Sequence, residues 1–253
     1  MARLSAGSLV VVAFCVLCRP VFAQQSNDAS LQRLSQQAQE AMTSKRYDVA
    51  AKAYQKLIQL DPGIAELYSN LGLAYFQERN FGEAASALRH AVKLKPGLAN
   101  PGYFLAMSLS ELGHYGEALP GLEKGFTNTP NPGLKRLLGL HLERTYTGLG
   151  RNADAVAVAL ELTRLYPNDP EVLYQTGRLC GNFAYLAMQK LQQVAPESAW
   201  RHLASGELFE SQGHFDLAIR EYRRVLALSP NMPGIHYRLG RVLLVSKQPE
   251  AQA

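Results

Sequence analysis

Glu207 and Glu210 are three positions apart in a stretch with helical periodicity. Two carboxylates on neighbouring turns are the minimum for general acid–base work. Solvated surface glutamates share that spacing far more often, so the pair supports only a third-ranked reading, an enzyme with an unrecognised site. The other chemical strings are weaker. Gly148-x-Gly150-x-x-Ala153 matches a dinucleotide fingerprint in letters, but that mechanism requires a preceding strand, and here the glycines fall at a turn between two helical stretches. The six histidines never occur as His-x-x-x-His, and no Cys/His cluster has metal-ligand spacing. His114 and His214 sit in matching Gly-His-aromatic strings and read as solvated turn residues. Cys180 reads as a small buried apolar residue. No Gly-x-Ser-x-Gly elbow and no Gly-Lys-Ser/Thr phosphate loop is present. The sequence therefore implies no catalysis, no cofactor and no metal.

What organises the chain is a period. Pro62, Pro96 and Pro130 recur at one fixed interval, and Ala50, Ala84 and Ala118 keep it too. So do the small residues Ala38, Gly72 and Ala106. Within residues 65–98, Leu71, Tyr75, Leu88 and Val92 recur at helical spacing. Gly72 and Ala84 stand where two backbones must approach closely. Pro96 ends the second helical stretch, because proline lacks the N–H that would continue the ladder. Helices are predicted over roughly 67–78 and 82–95.

Tyr68, Leu71-Gly72, Tyr75, Phe81, Ala84, Leu88, Ala91 and Pro96 together resemble the tetratricopeptide repeat. The resemblance implies an all-α fold, a right-handed superhelical solenoid of antiparallel helix pairs, over residues 31–253. Each pair in such a stack buries its apolar face only against its neighbours. The family's clamp for a terminal carboxylate is missing: Ser35, Gln39, Asn100 and Phe104 stand at its positions and only Asn70 matches. Without cations nothing there would pair with a carboxylate.

In chain order, residues 24–30 are polar and aperiodic, and read as a disordered lead-in. The first repeat, from about Leu31 to Pro62, is polar in its first helix, as a capping repeat should be. The second and third, 65–98 and 99–132, are regular. Pro130 to Gly133 then read as a break, and the fourth repeat restarts near Arg136, out of phase with those before it. The fifth has Leu173, Gly177 and Leu179 on its first helix and Ala184, Met188 and Leu191 on its second. Gly181-Asn182 alone remain as its turn, shorter than the turns elsewhere. Repeats are thus irregular over 136–196. The sixth, 199–232, is regular, and a seventh begins with His236 and Leu239-Gly240; Pro249-Glu250-Ala251 reads as the opening of its second helix.

The segment before Gln24 differs in kind. Arg3, an apolar run from Leu9 to Leu17 and Val21-x-Ala23 describe a secretory signal peptide. The run is well short of the ~20 residues a spanning helix needs, and Phe14 and Leu17 before Cys15 and Cys18 argue against lipidation. Cleavage after Ala23 removes Arg3 and Arg19 and no acidic residue, lowering the formal charge from +5 to +3. That weak, well-mixed charge makes no case for nucleic acid. Cys180 would then be the sole thiol, excluding an intramolecular disulfide and suiting a periplasmic or secreted protein that rests on its core. No membrane span is expected in the cleaved chain.

The resemblance also implies a concave groove lined by the first helix of each repeat, and hence a protein or peptide partner. Carried over by position, its candidate residues are Tyr103, Met107, Leu140 and Arg144, then Tyr174, Arg178, Trp200, Leu203, Glu207, Tyr237 and Arg241. Tyr, Trp and Arg are the types that anchor partners in desolvated pockets; packing between neighbouring helices is the competing role for the tyrosines. The leading expectation is a non-catalytic scaffold of the bacterial envelope. A regulatory or assembly subunit of a larger envelope enzyme or secretion complex is the alternative. Finally, Leu239 and Leu243 suffice to pack the last helix, so Val242 and Val245 are expected to form an exposed apolar edge open to association.

Overall fold

The computed structural model describes residues 19–246. Among them are twelve α-helices and no strand: α1 Arg19–Thr43, α2 Tyr47–Leu60, α3 Ala65–Gln77, α4 Phe81–Leu94, α5 Ala99–Glu111, α6 Tyr115–Asn128, α7 Pro132–Gly148, α8 Asn152–Leu165, α9 Pro170–Val194, α10 Ala199–Ser211, α11 Phe215–Leu228 and α12 Ile235–Ser246. The chain divides into two compact units, one ending at Val158 and one starting at Ala159, so that α8 crosses the boundary.

In the first unit each helix from α1 to α7 packs on the next in sequence, and α3, α5 and α7 also pack side by side. Most of these helices have 13 or 14 residues, too short to persist alone in water, so their stability comes from burying one face. Small residues make that burial tight. Ala50, Ala84 and Ala118 are wholly buried. A Cβ on Gly72 would lie 2.5 Å from Leu88 Cγ and 3.3 Å from the Ala84 carbonyl oxygen. Replacing Ala84 with leucine should therefore cost about 1–3 kcal/mol through overpacking; a thermal melt unchanged by Ala84→Leu would contradict this crossing.

Local sequence fixes where these helices stop. Pro62, Pro96, Pro130, Pro167, Pro196 and Pro230 each stand two positions beyond the end of α2, α4, α6, α8, α9 and α11. The turns inside the helix pairs occupy residues 44–46, 78–80, 112–114, 149–151 and 212–214. Each contains one residue at positive φ: Lys45, Arg79, Gly113, Gly150 and Gly213. Each is closed by a backbone hydrogen bond back into the first helix, such as Asn80 N to Tyr75 O and His214 N to Phe209 O, both 2.9 Å. That left-handed residue reverses the chain and satisfies the last carbonyls of the helix.

Four sequence expectations need correcting. Residues 24–30, expected to be disordered, are helical within α1. The break expected over Pro130 to Gly133 falls at residues 129–131, between α6 and α7, and ends sooner than expected: Pro132 opens α7, whose N-cap Asn131 accepts a hydrogen bond from the Leu134 amide at 3.0 Å. The phase offset is absorbed by a 17-residue helix. Gly181-Asn182 are not a turn, since α9 runs through them for 25 residues. A pair of residues cannot supply the longer turn, with its left-handed residue, that the other pairs use. At the end of α12, Val242 is buried, and the exposed apolar residues are Leu244 and Val245. The cause is that Ile235, Leu239 and Val242 share one helical stripe toward α11. The cleavage site's upstream run and the Pro249-Glu250-Ala251 string lie outside the described residues.

Candidate partner-binding surface

The second unit is built on α10, α11 and α12. Tyr222 of α11 is wholly buried, and it occupies the space that a Cβ on Gly206 of α10 would need, 2.4 Å from its ring. Its hydroxyl donates to Glu210 at 2.6 Å. Burial first, then that bond to a carboxylate, push the phenol well above its ordinary range, so it remains a donor at any physiological pH. Glu210 also pairs with Arg241 of α12, and Glu207 with Arg238 at 2.9 Å. These carboxylates tie neighbouring first helices together, which explains them without catalysis. His202, also buried, is 2.7 Å from Glu221, whose carboxylate Arg201 approaches at 3.4 Å.

On the outward face of the same first helices stand Trp200, 63% exposed, and Tyr237, 73% exposed. Tyr174 on the first half of α9 is 66% exposed, and Arg178 beside it is held by Gln175 of its own helix. Leu203 is half-buried against the core formed by Ile219, Tyr222 and Val225. A cleft of about 660 Å³ is lined by Glu207, Glu210, Phe215, Arg238, Arg241 and Val245.

The first unit differs. Tyr103 and Met107 are buried, so these two residues pack rather than face a partner. Their burial follows from a close approach: Gly125 of α6 leaves room for the Tyr103 ring, which a Cβ there would meet at 2.8 Å. Leu140 is half-buried, and exposed Arg144 donates to Glu111 of α5 at 2.7 Å. Phe76, Phe104 and His141 form an aromatic row along α3, α5 and α7. Tyr146, partly desolvated and donating to Glu123 at 2.6 Å, has its phenol pushed up to about 12.

The periodic reading thus placed every candidate on a first helix but misjudged depth. It also missed the pairs that join first helices across repeats: Ser110 with Thr145 at 2.8 Å, Glu111 with Arg144, Glu207 with Arg238. Their signal was available, since the partners in each pair stand close to one period apart in sequence. Cys180 is half-buried rather than buried. Among the described residues no helix is long and apolar enough to cross a membrane, and no group of three His, Cys, Asp or Glu is placed to hold a metal ion.

This geometry, antiparallel helix pairs of fixed period with small residues at their crossings, defines the helical-repeat class. Family models for the tetratricopeptide repeat match residues 35–99 and 206–244. The chain carries tetratricopeptide repeats over those two stretches, and its fold is the all-α solenoid of helix pairs that such repeats build. Among solved structures it is similar to PilF of Pseudomonas aeruginosa, with 17% identity, 87% of this chain and 99% of that one covered, and a TM-score of 0.52. It is also similar to a double mutant of MamA RS-1, at 14% identity over 81% of this chain and 97% of that one, TM-score 0.48. An O-GlcNAc transferase mutant of Thermobaculum terrenum is 27% identical over 55% of this chain but only 26% of its own length, TM-score 0.46. No curated protein matches the sequence. Repeat proteins of this family are in general non-catalytic and bind other proteins or peptides.

Proposed function

We propose that this protein is an exported, non-catalytic scaffold that holds a peptide or protein on the first-helix face of its second unit. One observation carries the reading: Trp200 and Tyr237 stand most of the way into solvent from α10 and α12, above helices fixed to each other by the Glu207–Arg238 and Glu210–Arg241 pairs. Large amphipathic side chains on a rigid support lose little freedom on binding and supply most of the area of a hot spot. The equivalent face of the first unit buries Tyr103 and Met107 and, among the described residues, offers no such anchor. The carboxylates of the cleft are already engaged by arginines, which supports binding over acid–base chemistry.

Export rests on the charged start, the apolar run and the Val21-x-Ala23 string that precede Gln24. Placed in a bacterial envelope, the scaffold would serve an assembly or maturation complex. The alternative, a regulatory or assembly subunit of a larger envelope enzyme or secretion complex, draws on exposed Leu244 and Val245 at the end of α12. Expressed with its own leader in a secreting bacterium, the protein should be recovered outside the cytoplasm with an intact mass beginning at Gln24. A mass that retains Met1, or material confined to the cytoplasm, would contradict export.

A further inference from the structure

The second half of α9 is exposed on all sides. Residues 181–190 are open to solvent throughout, including Phe183, Tyr185, Leu186 and Met188, the last 50% exposed. The proline register shows what this stretch is. Counted back from the proline that follows each second helix, Met188 stands where Leu88 precedes Pro96 and Tyr222 precedes Pro230. Ala184 likewise stands where Ala84 and Ala218 do. Leu88, Tyr222, Ala84 and Ala218 are all wholly buried, yet Ala184 and Met188 are exposed. The first half of α9 has the matching deficit. Gly177 occupies the position of Gly72 and Gly206 in the first helix. Where a Cβ on those two would strike Leu88 and Tyr222, nothing lies within 4 Å of a Cβ on Gly177. One helix therefore carries both an empty hollow and the knob that fills such a hollow in regular repeats.

They cannot meet within a straight helix. The rise of an α-helix puts Gly177 and Met188 about 16 Å apart along the axis. The missing turn is the cause: the interval from Pro167 to Pro196 falls short of that from Pro196 to Pro230 by the length of a turn. Shortening a hinge loop is a known route to exchange of an element between copies. We propose that a second copy of this chain covers α9, the two helices packing antiparallel so that Gly177 of each receives Met188 of the other. The midpoint between those residues falls between Asn182 and Phe183, so the two-fold axis crosses there. The contact is self-complementary and closes as a dimer. Gly240 of α12 is another open hollow, but only α9 holds both halves of the contact. The first half of α9 stays anchored on its own unit meanwhile, with Val172 and Leu179 buried and Thr176 donating to the Ala159 carbonyl at 3.2 Å.

The test is the mass of the full chain by sedimentation over a wide concentration range, beside a variant with Ser-Gln-Gly-His-Phe, the 211–215 turn, inserted between Gly181 and Asn182. The wild type should sediment at twice the chain mass, and the insertion should halve it by letting each α9 fold back on itself. A wild type that is monomeric throughout overturns the proposal. So does a dimer that survives the insertion or is lost in Val245→Lys, since either places the contact elsewhere. Should the insertion fail to fold, oxidised Gly177→Cys/Met188→Cys with Cys15, Cys18 and Cys180 changed to serine decides. A disulfide-linked dimer on a non-reducing gel supports the exchange; a single chain contradicts it.

Discussion

Tyr222→Ala is expected to lower the stability of the second unit by about 3–5 kcal/mol, the usual cost of truncating a buried aromatic. Tyr222 is wholly buried, fills the space above Gly206, and donates to the Glu210 carboxylate that α12 also holds through Arg241. One side chain thus links α10, α11 and α12. Tyr222→Phe keeps the ring and removes only the hydroxyl. A bond to a charged acceptor is worth about 1.5–3 kcal/mol, and because Arg241 remains on Glu210 the loss should fall at the low end. Trp200, the only tryptophan of the chain, lies on α10 and reports this unit selectively, so urea titration followed by its fluorescence separates this transition from that of the first unit. Equal losses for the two variants would show that the hydroxyl and not the packing governs the site.

The second large effect concerns binding. Trp200→Ala and Tyr237→Ala should each weaken partner binding by about 2 kcal/mol or more, roughly thirtyfold. Neither should change the urea midpoint, followed here by circular dichroism because Trp200→Ala removes the fluorophore, since both rings are mostly in solvent. Arg241→Ala separates the two roles. It loosens the Glu210 contact and lowers stability first, so any loss of binding follows the loss of fold. Calorimetric titration of the variants beside the wild type checks both halves of this expectation. A thirtyfold loss from Arg241→Ala with the midpoint unmoved would instead place that guanidinium on the partner.

Much of this fold is legible because the period is carried by residue types with steric meaning. Prolines two positions past a helix, glycine or alanine at a crossing, and a glycine or a tolerant residue in the left-handed turn each have a local cause. α7 and α9 were misread for a local reason too. Pro132 is compatible with the first turn of a helix, so the string Pro130 to Gly133 signals a start as readily as a break. At 181–182 the register alone showed that a turn was short; it did not show that the backbone would continue as helix instead. Depth within a first helix was harder to read. Tyr103 and Tyr237 have the same position in their repeats, and only the neighbour decides between them: Gly125 opens a space for Tyr103, whereas among the described residues Tyr237 has no such host and stands 73% exposed. Ion pairs between repeats depend on two side chains about one period apart, which no pattern within a single repeat can show.

The central claim is that the partner lies across α10 and α12. Photo-cross-linking tests it most directly, with a photoreactive amino acid introduced in turn at Trp200, Tyr237 and exposed Arg223 of α11. Adducts from positions 200 and 237 should map to one segment of one partner, with none from position 223. Adducts from position 223 alone, or from all three positions to unrelated segments, would contradict the account.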